Sequence, residues 1–235
     1  MSDLRTAELA ANLADVDARI ARACASAGRP RQEVTLVVVT KTWPADDVRR
    51  LATLGVVDVG ENRDQDAAPK AAACADLALR WHFVGQLQTN KCRSVARYAD
   101  VVHSIDRAGL VTALGSAALA TGRTVGALIQ VGLGDGADLA GRGGASPADV
   151  VALADLVAAT EGLRLDGVMA VAPLGADPDQ AFARLYLLAE SVRAAHPEAS
   201  VVSAGMTGDL EAAVHAGATH LRVGTAVLGP RPPLG

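Results

Sequence analysis

The sequence contains few aromatic residues and few cysteines, and each shortage excludes a class of protein. Aromatic residues make up only 3% of the 235 residues, while half of the chain is apolar. The core must therefore consist of Ala, Val and Leu, which suits parallel strands buried on both faces. Three widely separated cysteines, Cys24, Cys74 and Cys92, suggest neither a disulfide framework nor a metal site.

Long apolar runs and an excess of positive charge are also missing. No apolar run approaches the ~20 residues of a membrane-spanning helix. The chain begins with the acidic and polar segment MSDLRTAELA, so we expect no secretory signal. A net charge of −4 provides no basic surface for nucleic acid or anionic membranes. We therefore expect a cytoplasmic protein that binds neither nucleic acid nor membranes.

Short β-rich runs alternate with helical patterns along the whole chain. The strands are predicted at residues 35–40, 56–60, 81–84, 101–103, 124–131, 163–168, 200–203 and 219–223. Helices are predicted at residues 4–28, 44–55, 64–79, 89–98, 106–121, 146–160 and 178–195. An open doubly wound sheet could use the same alternation, but eight units in this length favour a closed barrel.

We therefore predict an α/β fold, a single (β/α)8 TIM barrel with an extra N-terminal helix, as one domain over residues 1–235. No linker or shift in composition divides the chain. The glycine-rich stretch 132–144 does not fit the GxGxxG dinucleotide fingerprint, and no helix begins directly after it. It is predicted to be a mobile loop after the fifth strand.

One lysine directly follows a predicted strand. Only three of the 22 basic residues are lysines, and Lys41 comes immediately after TLVVVT. Active sites of (β/α)8 barrels lie at this carboxyl end of the strands. An apolar wall behind the lysine would lower its pKa, and a neutral amine can form a Schiff base with an aldehyde. A lysine that extends from the strand end into solvent is equally compatible with the position.

The loops after the seventh and eighth strands have the composition of a phosphate site, and barrels of this kind commonly bind phosphate there. SAGMTGD at residues 203–209 and RVGT at residues 222–225 combine glycines, which let the backbone approach an anion, with hydroxyl donors. Either loop alone is also compatible with an ordinary turn. Together with Lys41, they predict a ligand that carries an aldehyde and a phosphate.

The other strand ends offer no acid/base machinery. Asn62 and Gln86 follow the second and third strands, and His82 lies inside the third strand. We interpret His82 as a pocket-lining or packed histidine rather than a general base. The remaining histidines lack ligand spacing and are interpreted as structural: His103, His196, His215 and His220. No pair of carboxylates is placed for acid/base work, so we predict no metal site and assign no catalytic residue.

Several motifs together resemble those of a known family. VVVTKTWP, VGENR, WHFVGQLQTNK, HSID, GVMAVAP and SAGMTGDLEAAVHAGATHLRVGTAVLGPR are similar to the successive motifs of the YggS/PROSC family of pyridoxal phosphate homeostasis proteins. The resemblance runs from the first helix to Gly229. WHFVGQLQTNK and the pair SxGMxxD and RxGTxxxGPR are highly specific in combination.

This resemblance implies that pyridoxal 5′-phosphate (PLP) is held as an aldimine on Lys41, in a barrel similar to the N-terminal domain of alanine racemases. It implies phosphate contacts from the last two loops and an arginine facing the pyridine nitrogen, which makes the ring a poor electron sink. The implied cofactor-binding residues are Lys41, Asn62, His82, Ser203, Gly205, Met206, Thr207, Arg222, Gly224 and Thr225.

The sequence departs from the family pattern in three places. GENRDQD replaces a motif like GENYVQE, and SAGMTGD replaces SMGMSDD. The loop GLGDGADLAGRGG lacks the lysine that relatives carry there. The Schiff-base and phosphate positions are intact.

Two functions remain open, and we favour the first. The protein holds and delivers PLP as a homeostasis factor, with apo PLP-dependent enzymes as possible partners, or it is an amino-acid racemase of low activity. Racemisation needs a second acid/base opposite Lys41, which the similar racemases take from a C-terminal β-domain. Here only six residues follow Gly229, so we expect no such domain, and we expect a monomer.

Overall fold

Eight parallel strands form a closed barrel in the order of the sequence. The computed structural model describes residues 3–134 and 143–230. The strands are β1 Thr35–Val39, β2 Asp58–Glu61, β3 Arg80–Phe83, β4 Val101–Ile105, β5 Val125–Gln130, β6 Leu163–Met169, β7 Val201–Ser203 and β8 His220–Val223. β8 pairs with β1 and closes the barrel. The predicted (β/α)8 fold is confirmed.

Helices cover the outside of the barrel. Within the described residues they are α1 Leu4–Ser26, α2 Ala45–Thr53, α3 Asp64–Ala73, α4 Cys92–Val95, α5 Ala108–Ala120, α6 Val150–Ala158, α7 Pro178–Ala195, α8 Leu210–His215 and α9 Thr225–Leu228. None of these is long and apolar enough to cross a membrane.

Two predicted helices are shorter than expected. α3 ends at Ala73 instead of Leu79, because Leu77 and Leu79 pack against the cluster around Trp81 from a turn. The pattern at residues 89–98 forms a 3₁₀ turn at Thr89–Lys91 and only one turn of α-helix. In both places the apolar spacing reflects burial and not helical periodicity.

The extra helix α1 lies outside the barrel beside α8 and α9. Asp3 caps it by accepting hydrogen bonds from the backbone N–H groups of Arg5 and Thr6. Arg19 pairs with Glu211 of α8 at 2.9 Å, and Asn12 donates to the carbonyl of Val227 in α9 at 2.9 Å. The predicted N-terminal helix is therefore present and attached next to the last strand.

Strand residues alternate between the barrel interior and the helix layer. Val101, Leu128 and Met169 form a small apolar cluster inside the barrel. Other inward positions are polar. Asp58 is the register partner of Arg80, and His220 is the register partner of both Thr35 and Ser203. The interior of this barrel is therefore an unusual mixture of apolar and hydrogen-bonding side chains.

Candidate functional site

Lys41 lies at the carboxyl end of β1, as predicted. The inward positions of β1 include Val37, whose register partner is Arg222, and Val39, whose partner is Gly60. Lys41 continues this alternation by one further step. The next residue, Thr42, has a φ of +71°, and such a backbone costs a β-branched residue about 1–3 kcal/mol. Strain of this kind is concentrated at functional sites.

A cavity of about 480 Å³ opens beside Lys41, and we call it the Lys41 cavity. Its volume lies in the range of small-molecule sites, roughly 300–1,000 Å³. Polar and apolar groups share the lining, which includes Lys41, Asn62, Gln86, Gln130, Met169 and Pro173. The structure therefore brings Lys41 and Asn62 to one cavity at the end of the barrel expected for ligands.

Two glycines allow close packing of the loops that line the Lys41 cavity. A Cβ on Gly85 would lie 2.0 Å from the carbonyl oxygen of Asn62, so the loops after β2 and β3 touch at backbone distance. A Cβ on Gly143, whose φ is +68°, would lie 2.2 Å from the side-chain nitrogen of Gln86. The backbone of Asn62 is thus positioned by a close contact that only glycine allows, and Gly143 lies next to the Gln86 amide with a backbone conformation that favours glycine.

The glycine-rich stretch after β5 contributes to the same cavity. Gly132, Leu133, Gly134 and Gly143 line it, and Ala145 donates a 2.7 Å backbone hydrogen bond to Gln130 at the end of β5. The two described ends of the stretch are therefore fixed beside Lys41. Its central part, residues 135–142, lies outside the described residues, so the predicted mobility of this loop stays a prediction.

The loop after β7 requires glycine at one predicted phosphate position. Gly205 has a φ of +86°, and a Cβ there would lie 2.6 Å from the Cβ of Ala213. Its carbonyl accepts a 2.9 Å hydrogen bond from the backbone N–H of Arg222. Met206 donates its backbone N–H to the carboxylate of Asp209 at 2.6 Å. The loop is compact and fixed to β8.

The loop after β8 lies against both the preceding loop and β1. The backbone N–H of Ala226 donates to the hydroxyl of Thr207 at 3.4 Å, which joins the two predicted phosphate loops. A Cβ on Gly224 would lie 3.0 Å from the carbonyl oxygen of Val39. The backbone therefore passes close to the strand that carries Lys41. Thr225 begins the short helix α9.

Ser203 and Arg222 are bound to each other inside the barrel. An Arg222 amino group donates to Ser203 Oγ at 2.6 Å, and the other donates to the carbonyl of Ala170 at 2.9 Å. Ser203 is fully buried, and its register partner Met169 lines the Lys41 cavity. Burial lowers the pKa of Arg222 to about 10, so the guanidinium stays charged at neutral pH.

His82 is placed away from the Lys41 cavity, although we expected it to line the cofactor pocket. Its Nε2 lies 2.7 Å from Asp58 and its Nδ1 lies 2.8 Å from His103, inside the barrel. It lines a second cavity of about 360 Å³, the basal cavity, together with His220 and Arg164. The reason is register, because His82 pairs with Gly60 and Val101, below the strand ends.

Sequence reasoning missed a buried ion pair on the outer side of β1. The ammonium of Lys70 in α3 contacts Glu61 Oε1 and donates to the carbonyl of Thr40 at 2.9 Å, and Thr40 Oγ1 donates to the same carboxylate oxygen at 2.7 Å. Glu61 Oε2 is buried without a hydrogen-bond partner among the described residues. The one available signal was the scarcity of lysine, which draws attention to Lys70 as well as Lys41.

Comparison with known proteins agrees with this geometry. The model of the alanine racemase N-terminal domain family matches residues 11–232. A pyridoxal phosphate homeostasis protein of Mycobacterium tuberculosis is 43% identical over 97% of this chain and 94% of its own length. The Escherichia coli protein of the same name is 35% identical over 95% and 97%.

The chain belongs to the family of pyridoxal phosphate homeostasis proteins. Among solved structures, PipY of Synechococcus elongatus with PLP bound is 32% identical, with a TM-score of 0.81, and the match covers 94% of this chain and all of that one. The family resemblance predicted from the sequence motifs is thus confirmed. The role of each site residue remains a prediction.

Proposed function

We propose that this chain binds PLP covalently through Lys41 and acts in PLP homeostasis, as the names of its relatives indicate. The observation that carries the proposal is the position of Lys41. It lines a cavity of about 480 Å³ and follows β1, whose last residue, Val39, lies close to Gly224 of the predicted phosphate loop. A solved relative at 32% identity is described with PLP bound.

The residues present fit PLP in three respects. The volume of the Lys41 cavity suits a small molecule. The loops containing Gly205 and Gly224 combine glycines with hydroxyl side chains after the two strands where barrels of this kind commonly bind phosphate. Lys41 supplies a primary amine, the group that reacts with an aldehyde.

PLP supplies an aldehyde, a phosphate and a pyridine ring. We assign the covalent link to Lys41, whose amine would condense with the aldehyde and release one water. We assign the phosphate to Gly205, Thr207, Gly224 and Thr225, and the ring wall to Asn62. Ser203 Oγ is bound to Arg222 and its backbone carbonyl accepts from Ala170, so we propose that Ser203 supports the loop that follows it and does not donate to the phosphate itself. Met206 belongs to the same loop, where its backbone N–H donates to Asp209.

Arg222 is the group proposed to face the pyridine nitrogen. Its two hydrogen bonds to Ser203 and Ala170 fix the guanidinium, and it carries its charge at pH 7. A cation at that position disfavours protonation of the ring nitrogen and weakens the ring as an electron sink. This arrangement suits a protein that holds PLP more than one that uses it for carbanion chemistry.

The homeostasis role includes release of PLP to apo PLP-dependent enzymes. We propose a monomeric carrier that works in the cytoplasm and uses residues 1–235 as one domain. The three cysteines support a reducing location, because Cys24, Cys74 and Cys92 are buried free thiols.

Lys41→Ala tests the proposal. The wild-type protein mixed with PLP is expected to show a visible absorbance that survives gel filtration, and the variant is expected to lose it completely. Lys91→Ala is the matched control, because Lys91 is a half-exposed surface lysine 3.9 Å from Asp64. It should retain the absorbance.

A visible absorbance that persists in Lys41→Ala would show that the link is made elsewhere. Delivery is tested separately by reactivating an apo-enzyme with the PLP-loaded protein or with free PLP. Faster reactivation by the loaded protein supports the carrier role, and equal rates contradict it. Stereospecific α-proton exchange on an amino acid at about 1 s⁻¹ or above would instead support a racemase.

A further inference from the structure

A continuous line of hydrogen bonds crosses the barrel interior below the Lys41 cavity. It joins side chains from five strands, and we call it the interior chain: Asp58, His82, His103, Ser203 and Arg222. The links measure 2.7 Å from Asp58 to His82 Nε2, 2.8 Å from His82 Nδ1 to His103 Nε2, 3.0 Å from His103 Nδ1 to Ser203 Oγ, and 2.6 Å from Ser203 Oγ to Arg222.

The chemistry at the two ends sets the direction of these bonds. Burial alone would raise the pKa of Asp58, but hydrogen bonds from His82 and Arg80 lower it to about 2, so Asp58 is a carboxylate that only accepts. Arg222 carries donors only, so Ser203 Oγ accepts from it. A proton on His82 Nε2 therefore points to Asp58 at one end, and a guanidinium proton points to Ser203 at the other.

His103, in the middle of the interior chain, is neutral. Burial, and then the nearby His82 and Arg222, hold the pKa of His103 well below its usual range. With one proton on each histidine, His103 Nε2 donates to His82 and Ser203 donates its hydroxyl proton to His103 Nδ1. Every donor then points from Arg222 towards Asp58, and each polar atom in the line has a partner.

Further charged groups surround this line. Asp58 also accepts a 2.9 Å hydrogen bond from Arg80 of β3, and the ring of His220 in β8 lies 6.3 Å from that of His82. The basal cavity adds Arg164 and Asp166 of β6.

We propose that Asp58, His82 and His103 are positioning residues for the PLP site. They fix the Ser203 hydroxyl so that its oxygen stays turned to Arg222, and they thereby hold the guanidinium in one orientation. Arg222 also contacts Ala170, the residue after Met169 of the Lys41 cavity. The inference rests on the proposed PLP site and assigns these residues no contact with the ligand.

The test is His103→Leu, measured as the PLP dissociation constant and the position of the visible absorption band from pH 6 to pH 8. We expect the dissociation constant to rise about tenfold, the change that ~1.4 kcal/mol of lost hydrogen bonding produces. We also expect the band to shift, because the cation facing the ring is less fixed. His196→Leu is the control, since His196 pairs with Asp155 at the surface, and it should change neither quantity.

A double-mutant cycle shows whether His103 acts through Ser203. Ser203→Ala should weaken binding to a similar degree, and adding His103→Leu to it should produce little further change. Fully additive effects would overturn the proposal, and so would an unchanged dissociation constant and band in folded His103→Leu.

A second variant covers the case in which His103→Leu does not fold. Asp58→Asn preserves shape and lies at the far end of the interior chain. It should raise the dissociation constant about threefold, as expected for coupling through a network. An unchanged value would contradict the proposal. If the wild-type protein itself shows no absorbance that depends on Lys41, the proposed PLP site is contradicted, and not the positioning role alone. The two outcomes are therefore distinguishable.

Discussion

The two faces of the barrel wall hold buried charge differently. On the outer face, Lys70 of α3 and Glu61 of β2 form a direct ion pair behind Thr40. On the inner face, Asp58 pairs with the half-exposed Arg80, and the interior chain places two histidines and a serine between Asp58 and the buried Arg222 guanidinium. Lys41 and Lys70 therefore lie near the same strand end but on different sides of the wall.

This difference predicts that substitutions on the outer face affect the stability of the fold, whereas substitutions on the inner face affect the binding of PLP. The outer pair neutralises its charges at contact inside the wall, so we expect its loss to affect folding. The inner face keeps an amine beside an open cavity and a fixed guanidinium below it, so we expect changes there to affect PLP. The following predictions test this division.

The largest expected effect is on the outer face. Lys70→Ala should lower the free energy of unfolding by ~3–5 kcal/mol, because it leaves the buried Glu61 carboxylate without its cation. Urea unfolding measures the change. Glu61→Gln in the same chain should restore most of the loss, whereas Lys91→Ala should stay within about 0.5 kcal/mol of wild type. A small loss of unfolding free energy in Lys70→Ala would show that the outer pair does not stabilise the fold.

The buried histidines of the inner face should make the free energy of unfolding depend on pH. Burial, and then His82, lower the pKa of His220 to about 4 from 6.5, and the pKa of His103 is lowered too. The unfolded chain thus binds protons below pH 6.5 that the folded chain excludes. The free energy of unfolding is therefore highest above pH 6.5 and falls as the pH drops towards 4, by up to about 3 kcal/mol for His220.

Urea unfolding at pH 7.5 and pH 4.5 measures this dependence. His220→Asn should reduce the difference between the two values. Asp58, whose pKa is about 2, loses its contribution only below about pH 4 and does not disturb the comparison. A difference that is unchanged in His220→Asn would show that the interior histidines are not the cause.

The smallest expected effect is at the phosphate loop. Gly205→Ala and Gly55→Ala both place alanine at a positive φ, +86° and +88°, but only Gly205 has close neighbours. Gly205→Ala should therefore cost ~1–3 kcal/mol more than Gly55→Ala, through overpacking against Ala213. Thermal unfolding compares the two variants. Equal losses would indicate that the loop can move away from α8.

Much of the fold could be predicted because periodicity and strand length are local properties. The eight strands, the long helix at residues 178–195 and the N-terminal helix follow directly from apolar spacing. The early end of α3 could not be predicted, because Leu77 and Leu79 continue the apolar pattern of the helix but pack, partly buried, against the cluster around Trp81 from outside it. The site was predictable where residues follow strand ends, as for Lys41 and Asn62.

The sequence by itself determined the barrel, the family and the position of Lys41, since each is carried by consecutive residues or by motif spacing. Only the tertiary structure decided which polar side chains meet. His82, His103 and Ser203 are up to 121 positions apart, and strand register alone brings them into one line. Register also places His82 inside the barrel and not at the Lys41 cavity. The packing of α3 places Lys70 behind β1, where its charge is paired with Glu61.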